Sequence, residues 1–292
     1  MEKIAIDKLR AGMVLARSIF QADGRILVRK NVELSASIIA KLKDLRFPAA
    51  YVDASVNDEI KEPVSDLTRS DVIQSVARLD TAFRTGKGIN FLACKAPLQA
   101  MLFEIMENRN ANLDLIEIRS LNDSIYNHMA QVCIIAVKVG IQMGYDQPKL
   151  FELALGVLFH DIGMTRIASD VLNRIGGLTE SEITQIKTHP KIGYDLINQS
   201  RDLPEASANV AFQHHERYNG SGYPRKLAGF QIHEYARITA AADVFDAMTT
   251  EKPYRPAKSV SDTLEYIKSQ KGAEFDPVVV DALVKAVAGD EA

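Results

Sequence analysis

The sequence predicts a mainly α-helical protein that encloses a metal centre and is preceded by a small α+β module. Three observations carry that expectation. Apolar residues recur at helical spacing almost continuously from residue 66 onward. Short β-prone runs are confined to the first part of the chain, before residue 57, and histidines and aspartates gather in the helical part.

In the first part, "KIAI", "MVLARSIF" and "RILVR" read as strands, separated by "RAG" and "QADG" as turns. "LSASIIAKLKDL" follows, with Ser35 or Ser37 as N-cap and apolar residues at 38, 39, 42 and 45 along one helix face. "AAYVDA" reads as a closing strand. These elements define a module over 1–56. Residues 57–110, opening on the polar "NDEIKEPVSD", read as a linker with connecting helices, and 111–292 as a helical domain. Candidate helices are 66–85, 91–108, 124–143, 147–159, 179–187, 190–199, 204–215, 232–248, 259–270 and 277–288. Pro148, Pro190, Pro204 and Pro277 punctuate their starts, where a missing N–H costs nothing. The chain has no internal repeat and no low-complexity tract.

Composition narrows the function classes. With 35 basic and 38 acidic residues the net charge is −3, which gives no global attraction to duplex nucleic acid. The two cysteines, Cys94 and Cys133, both lie among apolar residues, so a reducing compartment is expected and a disulfide framework is not. The start "MEKIAIDKLR" lacks an apolar signal core, and the most apolar run, 132–144, is interrupted by Lys138 and too short to span a bilayer. A soluble, cytoplasmic protein is expected.

The groups able to bind metal come in order: His128, the pair His160–Asp161, His189, the pair His214–His215, then Asp243 and Asp246. Mixed imidazole and carboxylate suit iron, manganese, nickel or zinc, and a carboxylate is able to bridge two ions. Such a set has the composition of a dinuclear centre rather than a tetrahedral structural zinc site. Each member also has a bland reading. A lone histidine in an apolar helix is more often a hydrogen-bonded core residue, and His189 beside Pro190 suits a helix entry. Asp243 and Asp246 weigh against blandness, because buried carboxylates are costly unless paired. Adjacent His160 and Asp161 point about 100° apart on a helix, so they converge only where the helix ends and the chain turns, a freedom Gly163 supplies. His233, after Gly229, reads as a surface residue. "HHE" at 214–216 superficially suggests a zinc-protease helix, but position 219 is Asn219, not histidine.

His128, "HDIG" (160–163), "HP" (189–190), "HHERYNGSGYP" (214–224) and "ADVFDAMTTEKPYRPA" (242–257) together resemble the HD-GYP family, a branch of the HD superfamily of metal-dependent phosphohydrolases. The resemblance covers roughly residues 115–290. The N-terminal stretch resembles a small module often found before such domains. The resemblance implies an all-helical HD-type bundle around two divalent ions, iron or manganese first, with nickel, zinc or magnesium as further candidates. It implies bacterial second-messenger chemistry: hydrolysis of cyclic di-GMP to linear pGpG and, in many members, onward to GMP. His128, His160, Asp161 and Asp243 would bind one ion. Asp161 would bridge to a second, bound by His189, His214 and His215, and a bridging hydroxide would attack phosphorus. Lys252 and Arg255 would bind the phosphates, and Gly220, Gly222 and Tyr223 would line the pocket. The other readings are a weakly active or inactive cyclic-dinucleotide receptor that signals through a partner, and a phosphodiesterase for cyclic GMP-AMP. Signalling proteins docking on the N-terminal module and a second copy of the chain are the further candidate partners.

The sequence departs from the family pattern at three positions. Met164 stands where "HDIGK" has a lysine, which removes a phosphate contact; Arg166 is the nearest replacement in sequence. Ser124 stands where members with a third metal carry an acid, with Asp123 on another side of the helix. Asn219 replaces a common aspartate in the loop.

Overall fold

A computed structural model of the protein describes residues 2–53, 62–85, 87–109, 125–172, 174, 177–250 and 256–288. The chain order begins with β1 (Glu2–Ala5), β2 (Ile19–Phe20), β3 (Ile26–Val28), α1 (Ala36–Asp44) and β4 (Ala49–Val52). The helices that follow are α2 (Asp66–Arg84), α3 (Lys95–Glu107), α4 (Ile125–Gln142), α5 (Gln147–Leu158), α6 (Ser169–Leu172) and α7 (Glu180–Ile186). The remaining helices are α8 (His189–Ser200), α9 (Glu205–Gln213), α10 (Glu234–Thr249), α11 (Val260–Ser269) and α12 (Pro277–Ala288).

The first five elements form the expected α+β arrangement. β1 pairs antiparallel with β4, Glu2 opposite Val52 and Ala5 opposite Ala49, and β2 pairs antiparallel with β3. Leu15, Leu34, Ile39, Leu42, Phe47 and Val52 fill a separate small core beneath them. Ser35, not Ser37, caps α1 by accepting from the Ile38 amide at 3.2 Å. The "ADG" turn does more than reverse the chain. Gly24, at φ +84°, lies against Ile73 of α2, where a Cβ would come 2.6 Å from the Ile73 Cβ and closer still to its Cγ2. Ser70 donates to the Gly24 carbonyl at 2.7 Å, and the Ser18 hydroxyl donates to Asp66. The module is therefore tied to α2 by close backbone approach and two hydrogen bonds.

The helical part closes around α4, which is buried on nearly every side, as its all-round apolar sequence requires. Lys138 within it donates from Nζ to the Arg109 carbonyl at 3.0 Å. Val72 and Val76 of α2, Leu98 and Met101 of α3, Leu153 of α5, Phe245 of α10 and Leu283 of α12 share this core. Helix starts follow their capping chemistry. Asp146 caps α5 by accepting from Lys149 N at 3.0 Å, with Pro148 in the first turn, and Thr179 with Glu182 forms a capping box on α7. The 91–108 segment begins as a 3-10 turn, Phe91–Cys94, before α3. The 3-10 turn Ile162–Arg166 and the short α6 were not among the expected elements. His233 is a half-buried N-cap of α10 rather than a surface residue, its ring accepting from Tyr235 N at 3.2 Å.

Glycines set how closely the functional ends of α5, α8 and α9 meet. A Cβ on Gly156 would come 2.9 Å from Val210 of α9. Gly163 corrects the expectation drawn from flexibility: it does not use the left-handed region. A Cβ there would fall well inside contact distance of the His189 carbonyl oxygen and 2.7 Å from Gly193 N. What the position needs is the absence of a side chain, so that the turn after α5 seats directly on the first turn of α8. Gly163→Ala is therefore expected to destabilise the fold by about 3 kcal/mol. Gly177→Ala, whose Cβ would meet nothing within 4 Å, is expected to change stability by less than about 0.5 kcal/mol. Denaturant midpoints of the two variants measure the difference.

Candidate metal centre

Five helix ends or faces supply the site. α5 ends at Leu158, and the chain tightens into successive i→i+3 hydrogen bonds, His160 N to Val157 O, Ile162 N to Phe159 O and Met164 N to Asp161 O. That turn presents His160 and Asp161 to the interior. His189 opens α8, His214 and His215 follow the last residue of α9, His128 stands in the first turn of α4, and Asp243 lies in the second half of α10. Among the described residues these side chains form two groups of metal-ligating type, Asp161 with His189, His214 and His215, and His128 with His160 and Asp243. Within each group the donor atoms lie within 4.8 Å of one another.

Asp161 joins the groups. Its Oδ1 is 3.1 Å from His189 Nε2 and 3.4 Å from His214 Nε2, and its Oδ2 is 3.7 Å from the Nε2 atoms of both His128 and His160. Each carboxylate oxygen thus faces a different group.

The tautomers follow from hydrogen bonds to the far side of each ring. Nδ1 of His160 meets the Val157 carbonyl at 2.8 Å, Nδ1 of His189 that of Ile186 at 2.7 Å, and Nδ1 of His214 that of Ala211 at 2.9 Å. A carbonyl only accepts, so each Nδ1 carries the proton and a neutral ring leaves Nε2 as a bare lone pair. The Nε2 atoms of His189 and His214 then stand 3.2 Å apart, and His160 Nε2 is buried with no hydrogen-bond partner. Converging lone pairs beside a carboxylate repel one another unless a cation lies among them, so these residues fit bound metal ions.

His128 is held differently. Its Nδ1 is 2.7 Å from Asp246 Oδ2 and its Nε2 is 3.1 Å from Asp243 Oδ1. Asp246, one turn after Asp243 and buried, therefore orients a ligand-type histidine from behind rather than facing the cluster itself. Burial alone would lower the His128 pKa, but the two carboxylates outweigh it and raise it to about 10. His160, with no such partner, is pushed by burial down to about 4, and burial drives His215 well below the usual imidazole range. Against their own burial, the surrounding imidazoles hold the Asp161 and Asp243 carboxyls below the usual carboxylate range.

The loop after His215 folds back over this centre. Tyr223 stacks on His215 with ring centroids 4.8 Å apart and 20° between planes, and its amide donates to the His215 carbonyl at 3.2 Å. Gly222 lies so close to the His215–Arg217 backbone that a Cβ would come 2.5 Å from the His215 oxygen. Gly220 takes φ +81° at the tip. Glu216, which the sequence reading did not assign, is buried and receives the amides of Arg225 at 2.7 Å and Leu227 at 3.1 Å. An acid directly after two histidines was the only signal for it. Asn219 keeps an acceptor where the family has aspartate, its Oδ1 receiving Ser221 N at 3.0 Å. Burial and the charges of Asp161 and Asp243 push the Tyr223 phenol up, so it remains a hydrogen-bond donor.

Three expectations about charge fall differently. Lys252 and Arg255 lie outside the described residues, as do Asp123 and Ser124. Arg166 is engaged away from the cluster, its guanidinium 3.6 Å over the Phe83 ring and 3.6 Å from Asp80 Oδ1. Asp80 also accepts from Tyr126 Oη at 2.8 Å and from Arg84 Nε at 2.7 Å. No helix among the described residues is long and apolar enough to cross a membrane.

A family model described as HD domain matches residues 113–279. The chain is 36% identical over 199 residues to the cyclic di-GMP phosphodiesterase response regulator RpfG of Xanthomonas campestris pv. campestris (strain 8004), covering 66% of this chain and 52% of that protein. A cyclic di-GMP phosphodiesterase of Thermotoga maritima is 29% identical over 270 residues, 88% of this chain and 72% of that one. The chain thus spans about half the length of the Xanthomonas relative and more of the Thermotoga one. Among solved structures, Bd1817, an HDG"Y"P protein from Bdellovibrio bacteriovorus, matches 99% of both chains at a TM-score of 0.67 and 16% identity, a likeness of fold.

Removing the support behind His128 is expected to loosen metal binding. Asp246→Ala should weaken manganese affinity by about 10- to 100-fold, read by competition with a chelating dye. The same histidine makes binding pH-dependent. Its proton is held up to about 10, so below that pH an entering cation must displace it. Affinity should therefore rise with pH between about 6 and 9, by up to tenfold per unit. Calorimetry in buffers of different ionisation enthalpy should register proton release.

Proposed function

Because this chain belongs to the HD domain family, we propose that it is a metal-dependent phosphodiesterase that hydrolyses cyclic di-GMP to pGpG and/or GMP. The observation that carries this reading is Asp161, with one oxygen toward each donor group. His128, His160, Asp161 and Asp243 would hold one divalent ion, and Asp161, His189, His214 and His215 a second. The mix of imidazole and carboxylate favours iron or manganese. When bound, two such ions acidify water and offset charge on the attacking and leaving oxygens of a phosphodiester.

The chain's own groups have separate tasks. Backbone carbonyls and Asp246 engage Nδ1 of these rings, so that Nε2 is the nitrogen each would offer to an ion. Glu216 fixes the loop that carries Tyr223, whose hydroxyl stays protonated and would donate to a substrate oxygen. Lys252 and Arg255, nine and twelve residues after Asp243, complete the reading as phosphate contacts. The 1–56 module is assigned to signalling partners.

A second reading is favoured by one observation. Met164 removes the family's lysine, and Arg166 is committed to Asp80 and Phe83. A protein that binds the dinucleotide tightly and turns it over slowly or not at all would follow from that loss. Protein loaded anaerobically with iron or manganese is expected to convert cyclic di-GMP to pGpG and GMP, and His160→Ala to abolish conversion. Binding by calorimetry without conversion, with two ions per chain by elemental analysis, would decide for the receptor. Parallel turnover of cyclic GMP-AMP measures base preference.

A further inference from the structure

Replacing the usual lysine by Met164 raises the question of which cation meets a ligand with two phosphates. Most cations of the surrounding helices are already paired. Arg166 is held by Asp80, Arg217 is 3.2 Å from Glu274, Lys149 is 3.0 Å from Glu234, Lys191 is bonded to Asp195, and Arg174 is bonded to Glu182. Lys187 is different. It caps the C-terminal end of α7 two residues before His189, is exposed, and pairs with no carboxylate among the described residues. Its ammonium stands 5.3 Å from the centroid of the Tyr223 ring, the ring that stacks on His215.

The Tyr223 ring is half-buried, but the Lys187 side chain is exposed, and a contact with the face of a ring leaves its charge available to an anion. Lys187 makes no hydrogen bond or ion pair with any of the seven ligand-type residues, and the Tyr223 ring links it to them. Lys187 thus borders the site from the Tyr223 side rather than standing among the ligand-type residues, which suits it to a second phosphate of a ligand whose first phosphate lies at those residues. We propose that Lys187 binds the phosphate of the cyclic dinucleotide that is not being cleaved, and so selects ligands with two phosphates. This rests on the phosphodiesterase reading of the same site.

The test uses the full chain loaded with manganese and two substrates, cyclic di-GMP and bis(p-nitrophenyl) phosphate, which has a single phosphodiester. Lys187→Gln is expected to raise KM for cyclic di-GMP by about tenfold, the scale of one charge-assisted hydrogen bond. Lys187→Arg should retain the wild-type KM, and elemental analysis should show the metal content of Lys187→Gln unchanged. The single phosphodiester has no second phosphate to hold, so its kcat/KM should not follow. An unchanged KM for cyclic di-GMP, or an equal loss on both substrates, overturns the role of Lys187 and leaves the phosphodiesterase reading standing. If the wild type converts neither substrate, calorimetry with cyclic di-GMP still decides. Affinity about tenfold weaker in Lys187→Gln supports the contact, and equal affinity refutes it. No binding by the wild type removes both readings together.

Discussion

Everything near the centre answers to one electrostatic constraint, a buried carboxylate crowded by imidazoles most of whose ring protons are committed to backbone carbonyls. Asp161 sits among Nε2 atoms whose opposite nitrogens are already bonded to backbone carbonyls. Such a cluster repels itself in a low-dielectric interior, and positive charge at its middle is what reconciles it. Around His128 a proton does this between Asp243 and Asp246. Around His160, which burial keeps neutral, no proton is available, and a metal ion is the remaining candidate.

The helices can be understood as the means of meeting that constraint. Ligand-type residues stand at the ends of α5, α8 and α9, where the chain is free to aim adjacent side chains inward, and not in mid-helix, where neighbours diverge. Those ends approach as closely as they do because Gly156 and Gly163 present backbone to the next helix. The two remaining contributions, His128 from the first turn of α4 and Asp243 from within α10, come from helices that pass through the core and are fixed by packing.

Much of this was legible in the sequence, for physical reasons that differ by element. The long helices showed themselves because each buries a continuous apolar stripe, and their starts carried proline or a capping residue. The ligand-type residues stood out because histidine is scarce in this chain and five of its six belong to the cluster. The division of labour between Asp243 and Asp246 was not legible. One turn apart on α10, they are equivalent in spacing, and only the position of His128 on another helix separates them. Glu216 was hidden for a similar reason, since its partners are amides nine and eleven residues onward that return to it only once the loop has folded. Gly163 misled because flexibility and close approach call for the same residue. Lys187 carries no sequence signal, because its neighbour Tyr223 belongs to a distant loop.

The loop fixed by Glu216 has an entropic consequence. Two amide bonds to a buried carboxylate, a glycine wedged against the His215–Arg217 backbone, and a tyrosine stacked on its own histidine leave little for an arriving ligand to organise. Ordering such a loop on binding would subtract from affinity roughly 0.5–1.5 kcal/mol for each immobilised side chain. Here that subtraction has already been made during folding, when hydrophobic burial drives it. The loop is thus held in place by its own contacts, and little ordering of it is left to any later event.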